Sequence, residues 1–175
     1  DVYKRQVYGL AKLMGGKKPF VNKLQMVFDE GLYDPANEPD IAYAHLFSYF
    51  KGEEWRTQKE TQRLLDKYFT TKPDGIPGND DTGTMSAWAI FNMIGFYPDC
   101  PGLPEYALTT PVFNKVTIRL DPKWYKENEL VIESNRTGSE TLYINKVLLD
   151  GKKFNKYRIT HDELVHGKRL IFDLK

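Results

Sequence analysis

Apolar residues recur at helical spacing through the first half of the chain, and turn-forming residues separate the stripes that they make. Glycines such as Gly15 and Gly95 stand where these stripes stop, as expected at helix ends. Asp40 stands where the N-cap of the third stripe is expected. The pattern therefore predicts five helices, at residues 7–14, 19–29, 40–50, 54–69 and 85–94.

The fourth predicted helix has the clearest two-sided pattern. Its apolar stripe is predicted to face inward and consists of Trp55, Leu64, Leu65, Tyr68 and Phe69. Its charged residues are predicted to form a solvated face and are Arg56, Lys59, Glu60, Arg63 and Lys67. Helical hairpins whose loops share one end indicate part of an (α/α) toroid.

From Tyr106 onward the pattern changes to short alternating runs, which indicate β-strands. Strands are predicted at 112–120, 129–134, 141–147 and 169–174, with a hairpin turn at Asp150-Gly151. The sequence thus predicts an α+β fold. We expect a partial (α/α) toroid of helical hairpins in residues 7–113, a small antiparallel β-sheet or half-sandwich in 114–175, and a non-native lead in 1–6.

Composition narrows the class of protein. The 175 residues are 41% hydrophobic and 28% charged, which suits a globular chain with a real core. The net charge of +1 argues against a nucleic-acid partner, because nucleic-acid binders carry a strong basic excess. The single cysteine, Cys100, excludes an intramolecular disulfide and is expected to be buried. No apolar run approaches the roughly 18 residues that predict a membrane span.

The loop at residues 78–83 carries the most informative polar pattern. Asn79, Asp80 and Asp81 lie between Gly78 and Gly83, directly before the last predicted helix. Glycines let a backbone turn sharply and bring side chains close to a ligand. The same residues are also typical of an Asx-turn and helix N-cap. Local chemistry alone favours the cap and leaves a binding loop as the alternative.

A second acidic segment contains Asn37, Glu38 and Asp40 at the start of the third predicted helix. An amide and two carboxylates offer oxygen atoms of the kind that calcium accepts, since Ca²⁺ takes 6–8 oxygen ligands. The alternative is a capping box without metal. The three histidines show no zinc-binding spacing, and His45 is expected to pack in the core while His161 is expected in a turn.

Several separated motifs follow one another along the chain. They lie at residues 37–40, 46–49, 55–58, 78–88, 95–98, 101–102, 106, 111–113, 115–118, 143–144, 150–151, 159–161 and 170–172. Taken in order, these motifs resemble the calcium-dependent exo-α-mannosidases of glycoside hydrolase family 92. The resemblance extends from about Val7 to Lys175 and is specific because the motifs occur in the family's order.

The resemblance implies hydrolysis of terminal α-linked mannose with inversion at the anomeric carbon. It also implies a role in the degradation of N-glycans. By this resemblance Asp81 is the catalytic base, with Asp80 as its catalytic partner. Asn37 and Glu38 are carried over as metal ligands for calcium. Glu38, Asn79 and Asp80 are carried over as substrate-binding residues.

The resemblance also implies what this chain lacks. The family's general acid is a glutamate in a motif expected just upstream of Val7, and the chain does not include it. We therefore expect a fragment that partners with a missing N-terminal portion and is inactive alone, from a bacterial periplasmic or cell-surface enzyme. Two alternatives stay open: a non-catalytic carbohydrate-binding module in the β part, and another toroid-fold glycosidase.

Overall fold

The computed structural model describes residues 6–138 and 141–175. Residues 1–5 of the non-native lead predicted at 1–6 therefore lie outside the described residues. The chain forms two compact units, one ending at Ala89 and the other running from Ile90 to Lys175. Across the described parts of the chain, none of the helices combines the length and apolarity needed to cross a membrane.

Helices make up the regular structure of the first unit, at the positions that the sequence predicted. Among the described residues of this unit, four helices are α-helices and one is a 3-10 helix, and the last α-helix extends past the end of the unit. They are α1 (Val7–Leu13), α2 (Lys17–Asp29), the 3-10 helix (Glu38–Tyr49), α3 (Glu54–Tyr68) and α4 (Thr84–Ile94).

The start of the 3-10 helix differs from the prediction. Asn37, not Asp40, occupies the N-cap position, and Pro39 lies in the first turn, where its missing N–H costs no hydrogen bond. The buried Asp40 carboxylate instead accepts hydrogen bonds from the Asp34 backbone N–H and from Asn37 Nδ2. Asp40 therefore anchors the preceding loop, and its prediction as a helix cap was wrong.

The core of the first unit centres on Trp88, which is 2% exposed. Its ring stacks on Phe69 at a centroid distance of 5.4 Å, and its Nε1 donates to the Ile41 carbonyl at 2.8 Å. His45 is fully buried with its ring 6.0 Å from Trp88, which confirms the prediction of a packed core histidine. Phe28 and Phe47 are buried in the same unit.

Two residues of α3 lie on the opposite face from the one predicted. Trp55 is 39% exposed, with the Arg56 guanidinium 4.5 Å from its ring centroid. Glu60 is only 1% exposed because it faces α2, where Gln25 Nε2 donates to its Oε1 at 3.0 Å. Arg63 Nε lies 2.7 Å from the other carboxylate oxygen. A charged side chain can be buried when it is paired in this way. The helical periodicity of apolar and charged residues contains no information on such a partner.

The second unit is built from two small sheets and one short helix. The sheets have strand orders β1-β2-β7 and β3-β4-β8-β5-β6. The elements are β1 (Phe96–Tyr97), β2 (Glu105–Leu108), β3 (Lys115–Arg119), β4 (Glu129–Arg136), β5 (Ile144–Leu149), β6 (Lys152–Phe154), β7 (Arg158–Thr160), α5 (His161–His166) and β8 (Arg169–Leu174).

The α+β class is confirmed, but the larger sheet is mixed where an antiparallel one was predicted. Strand β4 pairs with β8 in parallel, with Val131 opposite Arg169 and Arg136 opposite Leu174. Parallel neighbours need a long crossover, and the chain supplies one through β5, β6, β7 and α5. The core of the unit includes Leu130, Ile132, Ile144, Val147, Leu170, Phe172 and Leu174.

Helix α5 was predicted as a turn at His161, and the structure shows a capped helix instead. Thr160 Oγ1 accepts from the Glu163 N–H at 3.1 Å, while Glu163 Oε2 accepts from the Thr160 N–H at 3.0 Å. This reciprocal pair is a capping box, whose sequence signal is a threonine followed three residues later by glutamate. Cys100 is buried, as predicted.

Candidate active site

The loop at residues 78–83 lies directly before α4, and Asp80 joins it to that helix. The Ser86 N–H donates to Asp80 Oδ1 at 2.8 Å, and the Ser86 hydroxyl donates to Oδ2 at 2.8 Å. The Met85 N–H also reaches the Asp80 carbonyl at 3.4 Å. Asp80 thus caps the first turn of α4, as one of the two interpretations of this loop predicted.

These hydrogen bonds also set the ionisation of Asp80. The Ser86 N–H is the largest cause and, with the Ser86 hydroxyl, holds the pKa of the Asp80 carboxyl below its usual 3.8, against a smaller opposing effect of burial. Hydrogen bonds to the charged form of a carboxyl favour that form. Asp80 is therefore a fixed negative charge at neutral pH.

Asp81 has the opposite environment. Its side chain is exposed, and within residues 6–138 and 141–175 the carboxylate makes no hydrogen bond or ion pair. Its backbone is held instead, because the Thr84 hydroxyl donates to the Asp81 carbonyl at 2.7 Å. Both oxygens of the Asp81 carboxylate are accordingly open to water or to a ligand.

The backbone of this loop is left-handed at three successive residues. The φ angles are +42° at Asp81, +60° at Thr82 and +91° at Gly83. A non-glycine residue at positive φ is uncommon, and a β-branched one such as Thr82 is an outlier. Strain of this kind concentrates at functional sites, where the surrounding structure imposes it. The exposed Asn79 lies on the same loop.

The second acidic segment is organised by Asp40. Asn37 Nδ2 donates to Asp40 Oδ1 at 3.2 Å, which leaves the amide oxygen of Asn37 available. Burial, and then the charge and hydrogen bond of Asp40, raise the pKa of the Tyr43 hydroxyl above 10.0. Glu38 is exposed, and its carboxylate has no bonded partner among the residues that the structure describes.

The two segments meet through Ala36 and Gly78, the residues that precede Asn37 and Asn79. A Cβ placed on Gly78 would lie 2.8 Å from the Ala36 Cβ, so the two loops are in direct contact. The structure therefore brings together two motifs that are far apart in sequence. Sequence reasoning missed Ala36 and Ser86, because no local rule pairs Gly78 with Ala36 or Asp80 with Ser86.

The second acidic segment offers part of the oxygen donor set that calcium needs. The Asn37 amide oxygen and the Glu38 carboxylate are oxygen donors of the right kind. Among the described residues, however, no three side chains of His, Cys, Asp or Glu converge to hold a metal ion. The described residues therefore do not fit a complete calcium site, which needs 6–8 oxygen ligands.

Solved mannosidases share this fold. The family GH92 α-mannosidase BT3965 from Bacteroides thetaiotaomicron is 32% identical, with a TM-score of 0.82 over 91% of this chain and 22% of its own. The family GH92 inverting mannosidase BT2199 from the same species is 31% identical, with a TM-score of 0.82 over 97% of this chain and 26% of its own. The fold of this chain therefore matches that of one part of these family GH92 mannosidases.

A match to a family model identifies the family. The model of the glycosyl hydrolase family 92 catalytic domain matches residues 3–175. The chain belongs to this family. It is also 29% identical over 161 residues to an uncharacterized secreted glycosidase of Arthroderma benhamiae, covering 92% of this chain and 20% of that protein. The chain spans about a fifth to a quarter of the length of these relatives.

Proposed function

We propose that this chain is part of an exo-acting α-mannosidase that removes terminal α-linked mannose from glycans with inversion, N-glycans included. The contact between Ala36 and Gly78 carries the proposal, because it joins the loop of Asp81 to a second polar loop. The Asp81 carboxylate has no bonded partner among the described residues. Further support comes from relatives: one is named an inverting mannosidase, and BT3965 was solved with mannoimidazole.

In this proposal Asp81 is the general base. An inverting glycosidase needs a carboxylate that deprotonates water on one face of the sugar and an acid that protonates the leaving oxygen on the other. The Asp81 carboxylate suits the first task, since none of the described residues bonds its oxygens. Asp80 is its partner and orients the water or a sugar hydroxyl, with Asn79 and Glu38 as further substrate contacts. The general acid comes from a part of the enzyme that precedes Val7.

We also propose that calcium binds beside this site, on the chemistry of its oxygen donors. Asn37 and Glu38 would supply oxygen ligands, and the others would have to come from water, substrate or the rest of the enzyme. When bound, the ion would coordinate sugar hydroxyls and help to distort the ring. A chelation series on the full-length enzyme tests this: activity that is unchanged after chelator treatment and dialysis would contradict it.

The assignment of Asp81 is tested by Asp81→Asn in the full-length enzyme. Asparagine keeps the size and tolerates positive φ, so the loop should survive while the base is lost. We expect kcat on an α-mannobioside to fall at least about 100-fold, a typical contribution of a positioned base. The matched control is Asp74→Asn, an exposed carboxylate that also lies between α3 and α4. A similar loss in both variants, or full activity in Asp81→Asn, would contradict the assignment.

The stereochemical and fragment predictions need separate measurements. The first sugar released by the full-length enzyme, followed by proton NMR, should be β-mannose, since inversion changes the anomer. The isolated 175-residue chain should release no mannose above the uncatalysed background, because in this proposal the general acid belongs to another part of the enzyme. Turnover by the isolated chain would contradict that assignment of the acid.

The parent enzyme is proposed to act outside the cytoplasm, in a bacterial periplasm or at the cell surface. The support is the secreted glycosidase to which this chain is similar. Fractionation of source cells with an antibody to the chain tests this, and a signal confined to the cytoplasmic fraction would contradict it.

A further inference from the structure

One residue outside every predicted site holds the Asp80 carboxylate by both of its oxygens. Ser86 contributes its N–H to Oδ1 and its hydroxyl to Oδ2, each at 2.8 Å. A helix cap ordinarily accepts from a backbone N–H through one side-chain oxygen, so the second bond exceeds what capping needs. Two bonds from one residue fix the plane of the carboxylate as well as its position.

We infer that Ser86 is a positioning residue for mannoside hydrolysis: its two hydrogen bonds hold Asp80 in one orientation beside Asp81, so that Asp80 orients the attacking water and Asp81 takes its proton. This inference rests on the proposed function. It also gives a structural reason for the division of roles between the two carboxylates.

The division of roles follows from the hydrogen-bonding positions that remain unused on each carboxylate. An ionised carboxylate has about four lone-pair positions, and Ser86 uses one on each oxygen of Asp80. The remaining positions of Asp80 point in fixed directions and can accept from water or a sugar hydroxyl. The Asp81 carboxylate has no bonded partner within the described residues, so it is the one free to accept a proton.

The electrostatic setting supports the same division. The pKa of Asp80 is lowered by the Ser86 N–H first, then by the Ser86 hydroxyl and the Met85 N–H, and no charged side chain contributes to that lowering. A carboxylate held ionised by hydrogen bonds is a weak base but a good acceptor. Removing the Ser86 hydroxyl should therefore change both the orientation and the pKa of Asp80.

The first test needs no activity. Carbon-13 NMR of side-chain carboxyls in the 175-residue chain would follow the titration of Asp80 in the wild type, in Ser86→Ala and in Ser86→Thr. We expect the pKa of Asp80 to rise in Ser86→Ala and to stay at the wild-type value in Ser86→Thr, which keeps the hydroxyl. An unchanged pKa in a folded Ser86→Ala variant would overturn the inference.

The second test uses the full-length enzyme. Ser86→Ala should lower kcat about 10- to 100-fold, the scale of a misplaced reacting group, and Ser86→Thr should restore it. Thr160→Ala is the matched control, because it removes another helix-capping hydroxyl and should leave kcat unchanged. Equal kcat in Ser86→Ala and wild type would overturn the positioning role. If the wild type released no mannose, the proposed function would fail, while the NMR result would still decide whether Ser86 controls Asp80.

Discussion

At the residue scale, the loop before α4 contains two carboxylates that are adjacent in sequence and opposite in environment. Asp80 is bound at both oxygens by Ser86, whereas the Asp81 side chain is exposed on a left-handed backbone. The difference lies in their contacts: Ser86 bonds both oxygens of Asp80, whereas no described residue bonds the carboxylate of Asp81.

The strain in this turn predicts the effect of Thr82→Gly. A β-branched residue at φ +60° is held at a cost that glycine does not have. Relief of the strain should stabilise the folded chain by more than the extra entropy that glycine loses on folding costs. We therefore expect a net gain in the free energy of unfolding of about 1 kcal/mol. Chemical denaturation of the 175-residue chain measures it. The control Thr84→Gly should lower stability, since it removes a hydroxyl bond and places glycine in a helix. A lower stability of Thr82→Gly would show that the turn is unstrained.

At the element scale, the site depends on one close contact between two loops. Ala36 precedes the 3-10 helix and Gly78 precedes the Asp80 loop, and neither loop could approach so closely if Gly78 carried a side chain. The hydrogen bond from Trp88 to the Ile41 carbonyl joins the helices that follow these loops. The site is therefore held by a small contact between loops and by an aromatic anchor between helices.

Gly78→Ala tests the contact between the loops. The added methyl would lie 2.8 Å from the Ala36 Cβ, so one loop must move, and we expect a loss of about 1–3 kcal/mol in the free energy of unfolding. The control Gly9→Ala places a methyl in α1 with nothing within 4 Å and should raise stability by about 0.5–1 kcal/mol.

The double variant Gly78→Ala with Ala36→Gly completes this test. Removing the Ala36 methyl relieves the closest contact, so the double variant should recover part of the lost stability. If the loss of stability in the double variant equalled the sum of the losses in the two single variants, the two residues would not be in contact.

At the scale of the whole molecule, three carboxyl groups predict sensitivity to acid. The Thr160 N–H, then Lys156, lowers the pKa of Glu163 below 4.5, and the Ser86 N–H lowers that of Asp80. Burial opposes the shift at Glu53, but bonds from Arg56 and Lys17 outweigh it and lower the pKa. Lowered pKa values in the folded state mean that the unfolded chain binds more protons. Stability should be constant above about pH 5 and fall as the pH decreases below about 4.5.

Glu163→Gln isolates the contribution of one of these carboxyl groups to the free energy of unfolding. The variant should be less stable than wild type at pH 7, where the carboxylate is ionised. The difference should be smaller at pH 3, because the carboxyl takes up protons as the pH falls. Glu38→Gln is the control, since that carboxylate has no bonded partner among the described residues. Denaturation at the two pH values measures both, and a difference that widens at pH 3 would contradict the sign of the shift.

The sequence by itself determined the positions of the helices of the first unit, the α+β class and the family, because apolar periodicity, turn residues and motif order are local properties. Its errors came where a side-chain partner in the folded chain changed a local preference. Glu60 is buried by Gln25 and Arg63 rather than solvated, and Asp40 anchors a loop rather than capping a helix.

Only the tertiary structure decided how the two loops of the candidate site come together. Asn37 and Asn79 lie on loops that meet because Gly78 has no side chain to keep Ala36 away. The parallel pairing of β4 with β8 was likewise decided by a long crossover that no strand pattern records. Contacts between residues far apart in the chain depend on closing long loops around a packed core, and local periodicity has no information on which loops close.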